Sequence, residues 1–120
     1  MILLDTNAVI WILAGHDRAA PLQETPARLF LSPVSLLEIQ FLVEVGRLNP
    51  FEKGVSSLSD DPRWSLDSPS SEVLFRTALE VDWTRDPFDR LLVAHARCRR
   101  FRLASGDSHL LERLSNALPL

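Results

Sequence analysis

Four acids, Asp5, Glu38, Asp89 and Asp107, are placed alike along the chain: each follows a short apolar run or lies in the first turns of a helix-forming segment. In an open parallel sheet such positions fall on the carboxyl edge, where ligand sites collect around the point at which strand order reverses. Two carboxylates about 4 Å apart repel by roughly 4 kcal/mol at an effective dielectric near 20, so four together must bind a cation or hold protons. Ligation by Asp and Glu oxygens alone selects a hard ion, Mg2+ or Mn2+, rather than zinc. Such an ion activates a water for attack on a phosphodiester and stabilises charge on the phosphoryl oxygens. The four acids are therefore expected to be metal ligands and catalytic residues together, with Thr6, Asn7, Ser35 and Ser105 placed to orient them. Each acid alone has a plainer reading as a helix cap. Ser35 with Glu38 fits the capping box S-x-x-E, and Asp86 with Asp89 has the same spacing.

The elements that must position these acids are short. Met1 to Asp5 reads as a strand and TNAVIWILA as the helix after it; Leu29 to Pro33 reads as a second strand, and SLLEIQFLVEVGRL as a helix that Gly46 is placed to end. After Asn49 the chain is turn-rich, with Trp64 to Leu66 able to form a short strand or a tucked segment. A helix over Ser70 to Val81 follows, then one opened by Asp86 as cap and Pro87 as first residue, a strand over Phe101 to Ala104 and a helix over Ser108 to Leu114. The final NALPL is either a last strand or a frayed tail. Strands alternating with helices predict an α/β fold, a parallel sheet covered on both faces, and no linker divides it. A single domain over residues 1–120 is expected.

A net charge of −3 with pI near 5.5 excludes a protein that coats a polyanion through a broad basic surface, so any nucleic-acid contact is local. The dense group Arg97, Arg99, Arg100 and Arg102 can hold phosphates or an acidic partner, or can be a solvated helix end whose dipole favours cations. Arg85 and Arg90, flanking the DPFD segment, are further candidates to bind RNA. No apolar run reaches the length a bilayer helix needs, which predicts a soluble, cytoplasmic chain without membrane contact. The lone Cys98 has no disulfide or thiolate partner and reads as structural.

The segments LLDTN, LSPVSLLEI, RDPFDRLLVAHA and LASGDSHLL, in that order and at these intervals, resemble the PIN domain, and specifically VapC-type toxins of bacterial toxin–antitoxin systems. The resemblance extends from Met1 to about Leu114. It implies a three-layer α/β/α sandwich around a parallel sheet of four to five strands, Mg2+- or Mn2+-dependent ribonuclease activity, a homodimer and neutralisation by an antitoxin. By position, Asp5 and Asp89 match the family's principal metal-binding aspartates, Glu38 its acid on the second helix and Asp107 its fourth acid. Asp86 competes for the Asp89 role; Asp89 is preferred because the family's acid directly precedes the apolar helical run, here Arg90, Leu91, Leu92, Val93 and Ala94. Thr84 stands where relatives often carry histidine, and SGD replaces a commoner threonine-containing form.

His16, His95 and His109 lack a second histidine at metal-ligand spacing and are expected at the surface or partly packed. Trp11, Trp64 and Trp83 are expected in the core or an interface rather than stacked on bases. The second long helix, with Leu36, Ile39, Phe41, Leu42, Val43 and Val45, is apolar on nearly every side, which suggests burial plus a protein contact. Three other functions compete: a housekeeping PIN nuclease, a non-catalytic PIN-like binding module, and a receiver domain. The last needs a lysine beside its acids, and the only one, Lys53, lies in the turn-rich segment.

Overall fold

The computed structural model describes residues 1–120. Five strands form one fully parallel sheet in the order β3-β2-β1-β4-β5: β1 is Ile2–Leu4, β2 Leu29–Leu31, β3 Ser65–Leu66, β4 Arg102–Ser105 and β5 Leu118–Pro119. Six helices connect them: α1 Thr6–Ala14, α2 Ala20–Glu24, α3 Pro33–Glu44, α4 Ser71–Leu79, α5 Pro87–Arg99 and α6 Ser108–Arg113. The fold is thus the expected α/β sandwich, with the higher of the two strand counts.

Strand alternation distributes the core between the faces. Ile2 and Leu4 of β1, Leu31 of β2 and Ala104 of β4 pack with Ala8, Val9 and Ile12 of α1, Leu22 of α2 and Ile39 of α3 on one face. Leu3, Phe30 and Leu103 point the other way, onto Val93 and Ala96 of α5 and Leu110 of α6. Phe30 stacks on Phe101 with ring centroids 4.6 Å apart. Helix α4 lies outside this layer, joined to α5 through Leu74, Ala78 and Ala94.

The chain moves from β1 to β2 to β3 on one side, then returns to β4 on the other side of β1. Strand order therefore reverses between β1 and β4, the place where an open α/β sheet leaves a crevice at its carboxyl edge.

Several details depart from expectation. Helix α3 starts at Pro33 with Ser32 as its cap, whose hydroxyl accepts the N–H of Val34, so Ser35 is an interior residue and the S-x-x-E box is not formed. Proline at N1 fixes that earlier start, because its missing N–H is unneeded there. At its other end the helix stops as expected, with Glu44 its last residue, Val45 the cap and left-handed Gly46 closing the turn. NALPL does form a strand: Leu118 and Pro119 pair with Ala104 and Ser105, and an edge position tolerates proline. The short helix α2 carried no periodic signal in five residues.

His95 is the clearest correction among the side chains. It is fully buried rather than superficial, its Nε2 lies 2.8 Å from Asp67 Oδ2, and its Nδ1 has no partner. Asp67 sits just past β3, in the segment hardest to read, so nothing nearby in sequence announced it. Burial holds the imidazole below its ordinary range, with Asp67 opposing. Burial also works to raise the Asp67 carboxyl, but hydrogen bonds from His95 and Arg99 outweigh it and lower it.

Candidate metal centre

Asp5 directly ends β1 and caps α1. Its Oδ1 accepts the N–H of Ala8 at 2.7 Å, and the side chain is buried, with only 5% of the residue exposed. Across the switch point, Asp107 follows β4 and caps α6, accepting the N–H groups of His109 at 2.8 Å and Leu110 at 3.2 Å on one oxygen. Ser105 joins the two sides: its hydroxyl accepts the Asp107 N–H at 3.0 Å and hydrogen bonds the Asp5 carboxyl. Both aspartates are thus helix caps through Oδ1, and Asp107 has its second carboxylate oxygen left over.

Glu38 lies one turn into α3, where its carboxylate accepts the Thr6 hydroxyl of α1, a contact shared with buried Ser35 at 3.2 Å. Thr6 thus contacts Glu38 directly, Ser35 backs Thr6, and Ser105 lies between Asp5 and Asp107. Asn7, expected to join them, is exposed and bonds none of the acids. On α5, Asp86 accepts the N–H groups of Phe88 and Asp89 as the N-cap. The Asp86 N–H is taken by Thr84 Oγ1, so no capping box closes and the Asp89 carboxyl is left uncommitted.

These carboxyls feel one another. Burial raises Asp89 to about 7, and the charges of Asp86, Asp107, Glu38 and Asp5 add to the rise. Burial likewise raises Asp5 and Glu38 above the usual carboxylate range; Ser105, Ala8 and Arg18 oppose it at Asp5, and Thr6 opposes it at Glu38. The acids do not yet close into a ligand shell, for no three His, Cys, Asp or Glu side chains are gathered tightly enough to hold an ion. Asp5, Glu38 and Asp107 each commit an oxygen to a hydrogen bond within the protein, the aspartates at the starts of α1 and α6 and Glu38 against Thr6 of α1. The donor set nonetheless fits a hard divalent cation: it is all carboxylate, and Asp89, raised by burial first and by the neighbouring acids after it, is an acid whose charge such a cation would stabilise.

The arginines are distributed differently from the acids. Arg90 donates to Ala78 O and Leu79 O and so ties α5 to the end of α4, whereas Arg85 donates to Asp82 O within the loop between the two helices. Arg97, Arg99 and Arg100 lie at the far end of the 13-residue α5, about 20 Å from its start. Arg99 is bound to Asp67 and Ser68 O, and Arg102 to Asn116 O. The cation that does act on the acids is Arg18, from the turn between α1 and α2, which sequence reading missed because it lies thirteen residues beyond Asp5 with no motif around it.

No helix is long and apolar enough to cross a membrane. The model of the PIN domain family matches residues 2–116. No curated protein matches the chain by sequence. Among solved structures, a toxin–antitoxin complex from Klebsiella pneumoniae superposes with a TM-score of 0.74 at 15% identity, covering 98% of this chain and 96% of that one. VapBC2 from Rickettsia felis, bound to a DNA fragment from its promoter, gives 0.67 at 18% identity, covering 100% and 98%. FitAcB from Neisseria gonorrhoeae gives 0.60 at 19% identity, covering 100% and 97%. With that family model matching residues 2–116, nearly the full length, the chain belongs to the PIN domain family.

Proposed function

We propose that the chain is a Mg2+- or Mn2+-dependent endoribonuclease and the toxin of a toxin–antitoxin pair, built as one domain, acting as a homodimer and restrained by a protein antitoxin. The observation that carries this reading is the placement of Asp5 at the end of β1 and Asp107 after β4, on either side of the switch point with Ser105 between them; the raised Asp89 carboxyl supports it. PIN domains are generally nucleases, and the similar structures named above include toxin–antitoxin complexes.

Asp5, Glu38, Asp89 and Asp107 would hold the ion, which when bound supplies an activated water and neutralises charge on the phosphoryl oxygens. Asp5 and Asp107 are fixed by their helix caps on either side of the switch point. Thr6 aims Glu38 from α3 toward the same crevice, and Asp89 gives up its proton when a cation takes its place. Exposed apolar side chains on α3 (Leu37, Phe41 and Val45) and α4 (Val73, Phe75 and Leu79) supply surface for a second copy or an antitoxin.

Purified protein should cleave single-stranded RNA with Mn2+, stop on addition of EDTA, and lose cleavage in Asp5→Ala and Asp89→Ala. Undiminished cleavage by either variant would overturn the reading.

A further inference from the structure

Arg18 is held in an unusual way for an exposed side chain. Its guanidinium lies 4.2 Å from the ring centroid of Trp11, and its Nη2 donates to Leu120 O at 2.8 Å and Gly106 O at 3.4 Å. The fit is tight: a Cβ on Gly106 would fall 2.4 Å from Trp11 Cη2 and 2.5 Å from Arg18 Nη2. The turn carrying Asp107 is therefore pressed directly against the Trp11–Arg18 pair.

That leaves Nε and Nη1 without a protein acceptor, on a guanidinium that touches the turn before Asp107 and whose charge reaches the Asp5 carboxyl. A polyanion entering the crevice meets repulsion from every acid that no cation has neutralised. Arg90 is turned away to the end of α4, and Arg85 is bonded to Asp82 O in the loop before α5. Arginine braced on an aromatic face loses little conformational freedom when its free edge receives a phosphate.

We propose that Arg18, braced on Trp11, binds a backbone phosphate of the RNA adjoining the one that is cleaved. This rests on the ribonuclease reading and adds to it a substrate-binding residue outside the four acids. Trp11 serves as its platform, and the absence of a side chain at Gly106 lets the platform approach the Asp107 turn.

The test uses Arg18→Gln, which keeps the aliphatic stem and a polar end while removing the charge, alongside Arg18→Lys, which keeps the charge but not the fork. Affinity for a fluorescein-labelled single-stranded RNA would be measured in EDTA across a salt series, together with kcat, KM and Mn2+ affinity on cleavable RNA. Loss of one phosphate contact lowers the slope of log affinity against log salt by about 0.7 for a single strand. Arg18→Gln should show that decrease, with KM raised about tenfold, kcat at saturating RNA within about threefold of wild type, and Mn2+ affinity not reduced. Arg18→Lys should retain the wild-type slope. An unchanged slope and KM in Arg18→Gln would overturn the proposal while leaving the nuclease reading intact. A fall in kcat and Mn2+ affinity at constant KM would overturn it too, making Arg18 a structural brace of the Asp107 turn. A wild-type protein that neither binds nor cleaves RNA would overturn both readings.

Discussion

Asp86 accepts the N–H groups of Phe88 and Asp89 at 2.9 and 3.2 Å, so of two acids three residues apart one caps the helix and the other is left free to face the crevice. The two should therefore separate on mutation. Asp86→Ala removes a cap and should cost about 1 kcal/mol of stability while RNA cleavage persists. Asp89→Ala should abolish cleavage. Urea unfolding and a cleavage assay on each variant check this; loss of cleavage on removing Asp86 alone would reverse the assignment.

Asp89 also gives the metal-free protein a pH-dependent weakness. Its folded-state pKa of about 7 lies above the ordinary 3.8, so the unfolded chain releases this proton first. Stability is then lost as pH rises from about 4 and stays reduced above about 7. Asp89→Asn should melt higher than wild type at pH 8 in EDTA, by on the order of 1–2 kcal/mol once solvent screening of this half-exposed group is allowed for, and about equally at pH 4. Saturating Mn2+ should reverse the order at pH 8, because only the wild type gains from binding.

The same proton competes with the ion. Mn2+ affinity should rise about tenfold from pH 6 to pH 8 and level off above, as Asp89 deprotonates. Isothermal titration across that range measures it, and a flat profile would show that Asp89 lies outside the ligand set.

Thr6→Val keeps shape but takes the hydroxyl from between Glu38 and Ser35. Buried Ser35 then loses a partner, and Glu38 loses the bond that opposes its raised pKa. A destabilisation of roughly 1–3 kcal/mol and a 10- to 100-fold loss of cleavage are expected. Thermal melts and initial rates separate the two effects.

Gly106→Ala would drive a methyl into Trp11 and Arg18. Overpacking of this kind costs about 1–3 kcal/mol, and because the displaced turn carries Asp107, cleavage should fall beyond what the lost stability explains. Rates measured well below the variant's melting temperature test this.

Most of the sheet, and Asp5 and Asp107 as helix caps, were legible because each rests on a local signal: an apolar run, then a capping acid, as in LLDTN. The choice of Asp89 over Asp86 rested on resemblance, and the structure supplies its physical content in the cap bonds of Asp86. What stayed hidden depends on contacts distant in sequence. The Asp67 partner of His95 is 28 residues away, and the Gly106 contact of Arg18 is 88 away. Ser35 misled for a local reason, since Ser32 and Pro33 began the helix three residues earlier than its capping box required.

The central claim is that Asp5, Glu38, Asp89 and Asp107 take up a divalent ion together. Titration of metal-free protein with Mn2+ at pH 8, counting ions per chain by calorimetry, tests it most directly. At least one ion per wild-type chain is predicted, with binding lost in an Asp5→Asn, Asp89→Asn double variant whose melting curve shows it folded. Equal binding by the double variant, or none by the wild type, would contradict the account.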